Sequence, residues 1–568
     1  MSPSLVGSRS LRSALHDPEV AHRRRWFTLL VLCLSLMVIG IDNTILNVAL
    51  PTLSKPVAIG GLGASASQLQ WIVDAYTLVF AGLLLTAGSL GDRFGRYRGL
   101  TVGLAIFGTG SAFAAFAPSP GALIATRAFM GIGGAFIMPA TLSILTNVFT
   151  DPAERAKAIG VWAGVTAIGL GFGPLAGGTL LSHFWWGSVF LVNVPVAVLA
   201  LAFGYALVPD SRDPSAPRLD PLGSFLSIIG LGSLLWAIIE GPGFGWTSPA
   251  ILGAFAAAAF IIGAFIVWEL RCASPMLDMR FFKNPRFTAA SGAITVIFLA
   301  LFGMIFLLTQ YLQSVLGYST VKAGALLIPQ SMTLMILAPL SPRWVRRFGN
   351  KIVVASGMFV AASSQVLMLT LTTSSSTLWV IFITVLLGVG MANIMAPATD
   401  SIMGSLPREK AGVGSAMNDT TRQVGGAVGV ALLGSILTSH YTSAVASGLH
   451  GHAPTDVVAH ASQSIGSAVG AASDPANSAF AHEILAVSRQ AFVEGLHTAV
   501  IVGTVIITLG AFAVLKWLPA RAPAPAPNNG DVADATDAVP IGLGPVDVMP
   551  ADVAADIAEE LAVGADRD

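Results

Sequence analysis

Gly88-Ser-Leu-Gly-Asp92-Arg93-Phe-Gly95-Arg96-Tyr-Arg98 is a short, strongly charged hairpin held between two apolar runs, 69–90 and 99–117. Runs of this kind dominate the chain. Apolar residues make up 54% of it and charged ones 11%, against about 25% charged in ordinary soluble domains. Each crossing of a bilayer core takes about 20 mostly apolar residues. Such runs recur at 26–50, 69–90, 99–117, 121–147, 158–181, 188–208, 222–240, 249–269, 287–316, 323–341, 352–371, 377–398, 411–438 and 491–517. The composition predicts an all-α polytopic membrane protein with fourteen transmembrane helices. Arg23-Arg24-Arg25 has the look of a leader's basic region, but the run behind it is too long and too many spans follow, so it reads as an uncleaved first helix.

Basic residues orient the spans. The odd-to-even connections hold only Lys55, Lys322 and Arg489, whereas the opposite side collects Arg93, Arg96, Arg98, Arg155, Lys157, Arg212, Arg218, Arg271, Arg280, Lys283, Arg286, Arg343, Arg346, Arg347, Lys351, Arg408 and Lys410. The positive-inside rule then puts both termini in the cytoplasm of a plasma (inner) membrane protein. Residues 1–25 read as a cytoplasmic arm and 518–568, Pro/Ala-rich and then acidic, as a disordered cytoplasmic tail. The 440–490 connection reads as a long loop outside the membrane. Its histidines at 440, 450, 452 and 460 fit no ligand spacing, and Cys33 and Cys272 are too few for a metal cage.

A degraded copy of the opening hairpin supports a repeat. Leu340-Ser-Pro-Arg343-Trp-Val-Arg346-Arg347 lines up with Leu90-Gly-Asp-Arg93-Phe-Gly-Arg96-Tyr97, with Pro342 for Asp92 and Val345 for Gly95. Parallel repeats of this kind predict two six-helix bundles, 26–208 and 287–517, with 209–286 as an inserted pair of helices.

Five stretches carry the chemistry. In the hairpin, Gly88 permits close helix approach, Gly95 suits the reversal, and Asp92, Arg93 and Arg96 can form a gating latch. The first span ends Ile41-Asp42-Asn43-Thr44-Ile45-Leu46-Asn47-Val48-Ala49-Leu50-Pro51. Asp42 stands about 13 Å of helix rise before Pro51, and an ionisable residue at that depth marks a functional site. The fourth span carries Arg127-Ala-Phe-Met-Gly131-Ile-Gly133-Gly134-Ala135, and Asp74 lies at a depth comparable to that of Arg127. Asp42, Asp74 and Arg127 are therefore expected in the outer half of the first bundle. The fifth span holds Gly169, Gly173, Pro174, Gly177 and Gly178, a smooth strip with a bend. In the thirteenth, Asp419 and Arg422 share a helix face.

The hairpin resembles the G-x-L-x-D-R-x-G-R loop of the major facilitator superfamily. The stretches of the first, fourth and fifth spans are similar to D-x-T-x-x-N-x-A-L-P, R-x-x-x-G-x-G-A and G-x-x-x-G-P-x-x-G-G of its drug:H⁺ antiporters with fourteen spans. The resemblance implies the major facilitator fold and alternating access. It implies proton-coupled efflux of lipophilic, often cationic drugs or dyes, with the intramembrane charged residues in coupling and recognition. A dedicated exporter of an endogenous metabolite, antibiotic or lipid is the alternative on the same scaffold. The expected partners are a small-molecule substrate, protons and membrane lipid, with no nucleic acid, cofactor or metal, and a monomeric chain. No lysine follows a glycine, and G-x-S-x-G and H-E-x-x-H are missing, so the chain holds no phosphate-loop motor and no sign of an enzyme.

Overall fold

In lipid every backbone amide has to be satisfied within the chain, so apolar runs of this length become helices. The computed structural model describes residues 18–212, 219–406 and 411–519; most of the N-terminal arm and nearly all of the acidic tail lie outside them. Fourteen long helical segments follow in order: α1 (Pro18–Leu53), α2 (Ala66–Phe94), α3 (Arg96–Ala115), α4 (Pro120–Val148), α5 (Pro152–His183), α6 (Ser188–Leu207), α7 (Pro221–Phe244), α8 (Pro249–Arg271), α9 (Pro285–Gln310), α10 (Thr320–Phe348), α11 (Asn350–Met368), α12 (Thr377–Met403), α13 (Ala411–Gly448) and α14 (Ala481–Trp517). Their starts are written locally. Ser65 and Gln68 form a capping box for α2, and Ser119, Asp151, Asp220, Ser248 and Asn284 each cap a helix whose first residue is proline. Twelve of the segments are long and apolar enough to cross a membrane by length and composition. The other two, α3 and α5, stand where the third and fifth spans are expected.

The order of packing repeats. In the first half α1 packs on α4, α5 and α6, α2 on α4, and α3 on α4 and α6. The same set recurs eight helices later: α9 on α12, α13 and α14, α10 on α12, and α11 on α12 and α14. These are two six-helix bundles, and they meet along α2–α13 and α5–α10. The inserted helix α7 lies against α2 and α13, and α8 packs on α7 with 17% of its apolar window buried.

Two expectations shift. Helices α13 and α14 extend to Gly448 and from Ala481, past the expected 438 and 491, because alanine-rich sequence continues a helix without needing lipid. The remaining connection folds into two short helices, Thr455–Ala461 and Ile465–Ser473, that bury Val457, Ala461, Ile465 and Ala468. It leans on the α1–α2 turn, where a Cβ on Gly470 would lie 2.5 Å from Pro56.

The repeat register is also one helical turn away from the alignment read in the sequence. Gly95 (φ +124°) and Gly349 (φ +83°) each separate a hairpin helix from the next span. Arg93 lies over Phe94 at 5.9 Å, and Arg347 over Phe348 at 5.4 Å. Gly103 crosses Gly133 as Gly357 crosses Gly390. Asp92 therefore corresponds to Arg346, and Arg96 to Asn350. The turn needs a residue tolerant of positive φ, which excludes Val345, and a four-residue slip leaves basic residues in apparent step.

Candidate transport site

Close helix contact sets the frame. A Cβ on Gly169 would lie 2.9 Å from the main chain of Gly40, and one on Gly177 would lie 2.8 Å from Ile45. A Cβ on Gly173 would overlap the Thr44 hydroxyl, which donates to Gly169 O at 3.2 Å. Residues 169–177 of the strip thus seat α5 on α1. Gly178 turns to the other bundle, with Thr320 O 2.6 Å from its would-be Cβ, and Pro174 O faces Gly324. The second bundle repeats the device, with Gly425 and Gly429 of α13 against Thr295 and Leu299 of α9.

With α1 held by its glycine face, Asp42 points the other way, into the first bundle. It is fully buried and accepts from Arg127 Nη1 at 2.5 Å. Arg127, 1% exposed, also donates through Nε to Ile72 O at 3.0 Å and lies 4.4 Å from the Tyr76 ring centroid. Asn193 of α6 donates to Asp42 Oδ1 at 3.3 Å and to Ser111 Oγ at 3.2 Å. A charge pair out of water needs such geometry to offset its desolvation, and here α1, α2, α3, α4 and α6 all contribute. Asn193, Ser111 and Tyr76 escaped the sequence reading. The first two could have been found by the rule that found Asp42, as polar side chains inside apolar runs.

Asp74 does not join that pair. Gln70, Asp74 and Leu78 recur every fourth residue on one face of α2. Ser435 Oγ of α13 donates to Gln70 Oε1 at 3.2 Å, and Leu78 packs with Ala427 and Ala431 of α13. Asp74 therefore stands in the seam between the bundles, fully buried, with no hydrogen-bond partner among the described residues for either carboxylate oxygen. Asp419 and Arg422 lie apart from both, in the second bundle. Their ion pair is 3.8 Å long, Arg422 Nη2 donates to Thr399 Oγ1 at 3.4 Å, and its guanidinium sits 5.5 Å from the Phe298 ring.

In the opening hairpin Asp92 pairs with Arg96 at 2.6 Å, within its own bundle. The sequence reading missed Asp210, which follows α6. Its carboxylate accepts from Tyr97 N at 3.3 Å and lies 3.8 Å from Arg98, at the positive end of α3. A Cβ on Gly95 would sit 2.8 Å from Asp210 Oδ1, so a larger residue would have to push that carboxylate aside, and the positive φ favours glycine here.

Among the described residues the side-chain hydrogen bonds between the bundles lie at one end. Gln313 Nε2 donates to Val48 O (2.9 Å) and Thr320 Oγ1 to Gly178 O (3.0 Å), and with Ser435–Gln70 these lie toward the folded 449–480 connection. At the other end the hairpins bond within their own bundles: Arg96 to Ser143 O, Asn350 to Ser401.

Residues 32–430 match the family model described as Major Facilitator Superfamily. The chain belongs to the major facilitator superfamily. It is 38% identical over 501 residues to the multidrug efflux pump LfrA of Mycolicibacterium smegmatis, covering 86% of this chain and 96% of that one. It is 35% identical over 430 residues to the tetracenomycin C resistance and export protein of Streptomyces glaucescens, covering 75% and 78%. The crystal structure of a bacterial homolog of the human lysosomal transporter Spinster overlays with a TM-score of 0.60 at 18% identity, covering 89% of this chain and 99% of that one, which supports the fold. As a major facilitator protein the chain is a multi-pass membrane transporter and not an enzyme.

Proposed function

We propose that this transporter expels lipophilic, often cationic drugs or dyes in exchange for protons, by alternating access. The Asp42–Arg127 pair carries this reading: a buried carboxylate in the membrane core, held by one cation and one amide, can exchange its partner for a proton as the bundles rock. Asp74 is the second coupling candidate, since the seam that hides it has to part for opening toward the 449–480 side. Asp419 and Arg422 would tune which substrates are accepted. The moving bodies are 26–208 and 287–517, with 209–286 riding on the α2–α13 seam. The basic residues of the hairpins support termini on the cytoplasmic side of the inner membrane; on that reading the bonded end faces outward and the chain is closed to the outside. The latch of Asp92, Arg93 and Arg96 would then close across the bundles in the opposite state. A single chain with two bundles supplies both halves of the cycle, so a monomer suffices.

The relation to a tetracenomycin C export protein favours a second reading, a dedicated exporter of one product on the same scaffold. The test is transport by the purified chain in proteoliposomes carrying an imposed pH gradient. Dye movement against its own gradient, with protons moving the other way, is expected. Dye movement indifferent to the pH gradient would overturn proton coupling, and movement of a single metabolite without dyes would select the second reading.

A further inference from the structure

We infer that the hairpin between α10 and α11 is a binding site for the phosphate headgroup of an anionic lipid in the leaflet on the side of the chain termini. In the first copy of the repeat two of the three arginines are matched by protein carboxylates, Arg96 by Asp92 and Arg98 beside Asp210, and the third, Arg93, lies over Phe94. In the second copy the structural register puts Arg346 where Asp92 stands and Asn350 where Arg96 stands. Arg343, Arg346, Arg347 and Lys351 have no carboxylate partner among the described residues. The short helix Ser341–Phe348 places Arg343, Arg346 and Arg347 within about 100° of one another, and Trp344, Val345 and Phe348 on the opposite arc. All three arginines are exposed, Trp344 and Val345 are half-buried, and Phe348 (50%) and Ile352 (54%) present apolar surface beside them.

A helix with one basic and one apolar arc lies in the plane of a membrane surface, its cations at headgroup depth. The helix follows one tighter, 3-10 turn at Ala338–Leu340 within α10. Guanidinium forks match phosphate oxygens, and the apolar neighbours fit acyl chains, which free phosphate would not use. The occupant is thus a lipid, and its site is one that Asp92 removes from the first copy.

The test uses the full chain in nanodiscs of phosphatidylcholine with a graded fraction of phosphatidylglycerol, counting retained phosphatidylglycerol by native mass spectrometry. Each cation near an anionic surface contributes about fivefold, so Arg343→Gln, Arg346→Gln and Arg347→Gln together should weaken retention about a hundredfold. The matching triple change to lysine keeps the charge but not the fork, so it should lose less than the glutamine set while falling short of wild type, and neither set should alter retention of phosphatidylcholine. Should the glutamine triple fail to fold, Arg346→Gln alone against Arg346→Lys gives the same comparison at about fivefold. Equal phosphatidylglycerol retention by wild type and the glutamine variant would overturn the site. So would full competition by millimolar inorganic phosphate, or a gain in retention of several-fold when residues 525–568 are removed, which would make the acidic tail the natural occupant.

Discussion

Replacing Asp42 by Asn strands the Arg127 guanidinium, and the structure sets the size of the effect. Arg127 keeps Ile72 O and the Tyr76 ring but loses its one anionic partner among the described residues, while remaining 1% exposed. Removing one partner of a buried pair costs about 3–5 kcal/mol, and an amide that still accepts from the guanidinium puts Asp42→Asn near the lower bound. Removing both charges, as in Asp42→Asn with Arg127→Met, eliminates the stranded ion, so the double variant should recover at least about 2 kcal/mol of that loss, within the coupling range for contacting residues. Unfolding in detergent measures the stabilities, and efflux from proteoliposomes after a pH jump measures coupling. Asp42→Asn should still insert, lose stability and lose pH-driven efflux. The double variant should regain stability without regaining efflux. A double variant no more stable than Asp42→Asn would refute the stranded-charge reasoning, and wild-type efflux in Asp42→Asn would move the proton carrier elsewhere, to Asp74 first.

Gly173→Leu should reduce efflux at least tenfold, because its side chain has to displace Thr44 and α1, an overpacking that costs about 1–3 kcal/mol. Gly263→Leu in α8, where nothing lies within 4 Å of the new Cβ, should leave efflux unchanged; equal effects would dismiss the packing role of the strip. In a Cys272→Ser background, Gln70→Cys with Ser435→Cys should form a disulfide that stops efflux until reductant is added. Full-rate transport by the cross-linked protein would mean that the α2–α13 seam does not part. Deleting residues 525–568 should leave insertion and efflux intact, which a dye-efflux assay at matched expression reads directly.

The fold was legible because lipid makes sequence patterns literal: a run of about 20 apolar residues has to be a helix. The twelve clearest segments follow from that rule alone, whereas the ends of α13 and α14 did not, since alanine propensity extends a helix with no regard to the bilayer. Asp42, Arg127 and the glycines of α5 were visible as residues the membrane tolerates only for a reason. Their pairing was less so. Depth along a helix follows from residue count, but azimuth decides partners, and the azimuth of Asp74 is set by Gln70 and Leu78 meeting α13, a helix some 350 residues away. Asp210 was hidden for a different cause, because one acid among several in a linker carries no pattern until the positive end of α3 is placed beside it.

The recurrence of one packing list in both halves bears on biosynthesis. Helices α1 to α6 satisfy each other before α7 has been translated, and α9 to α14 do the same later, so the two halves can mature one after the other as they leave the ribosome. A chain severed between them in the 209–219 linker would forfeit no helix–helix contact within either bundle. Two separately encoded polypeptides cut there should find one another through the α2–α13 and α5–α10 faces, with the α7–α8 pair arriving as part of the second.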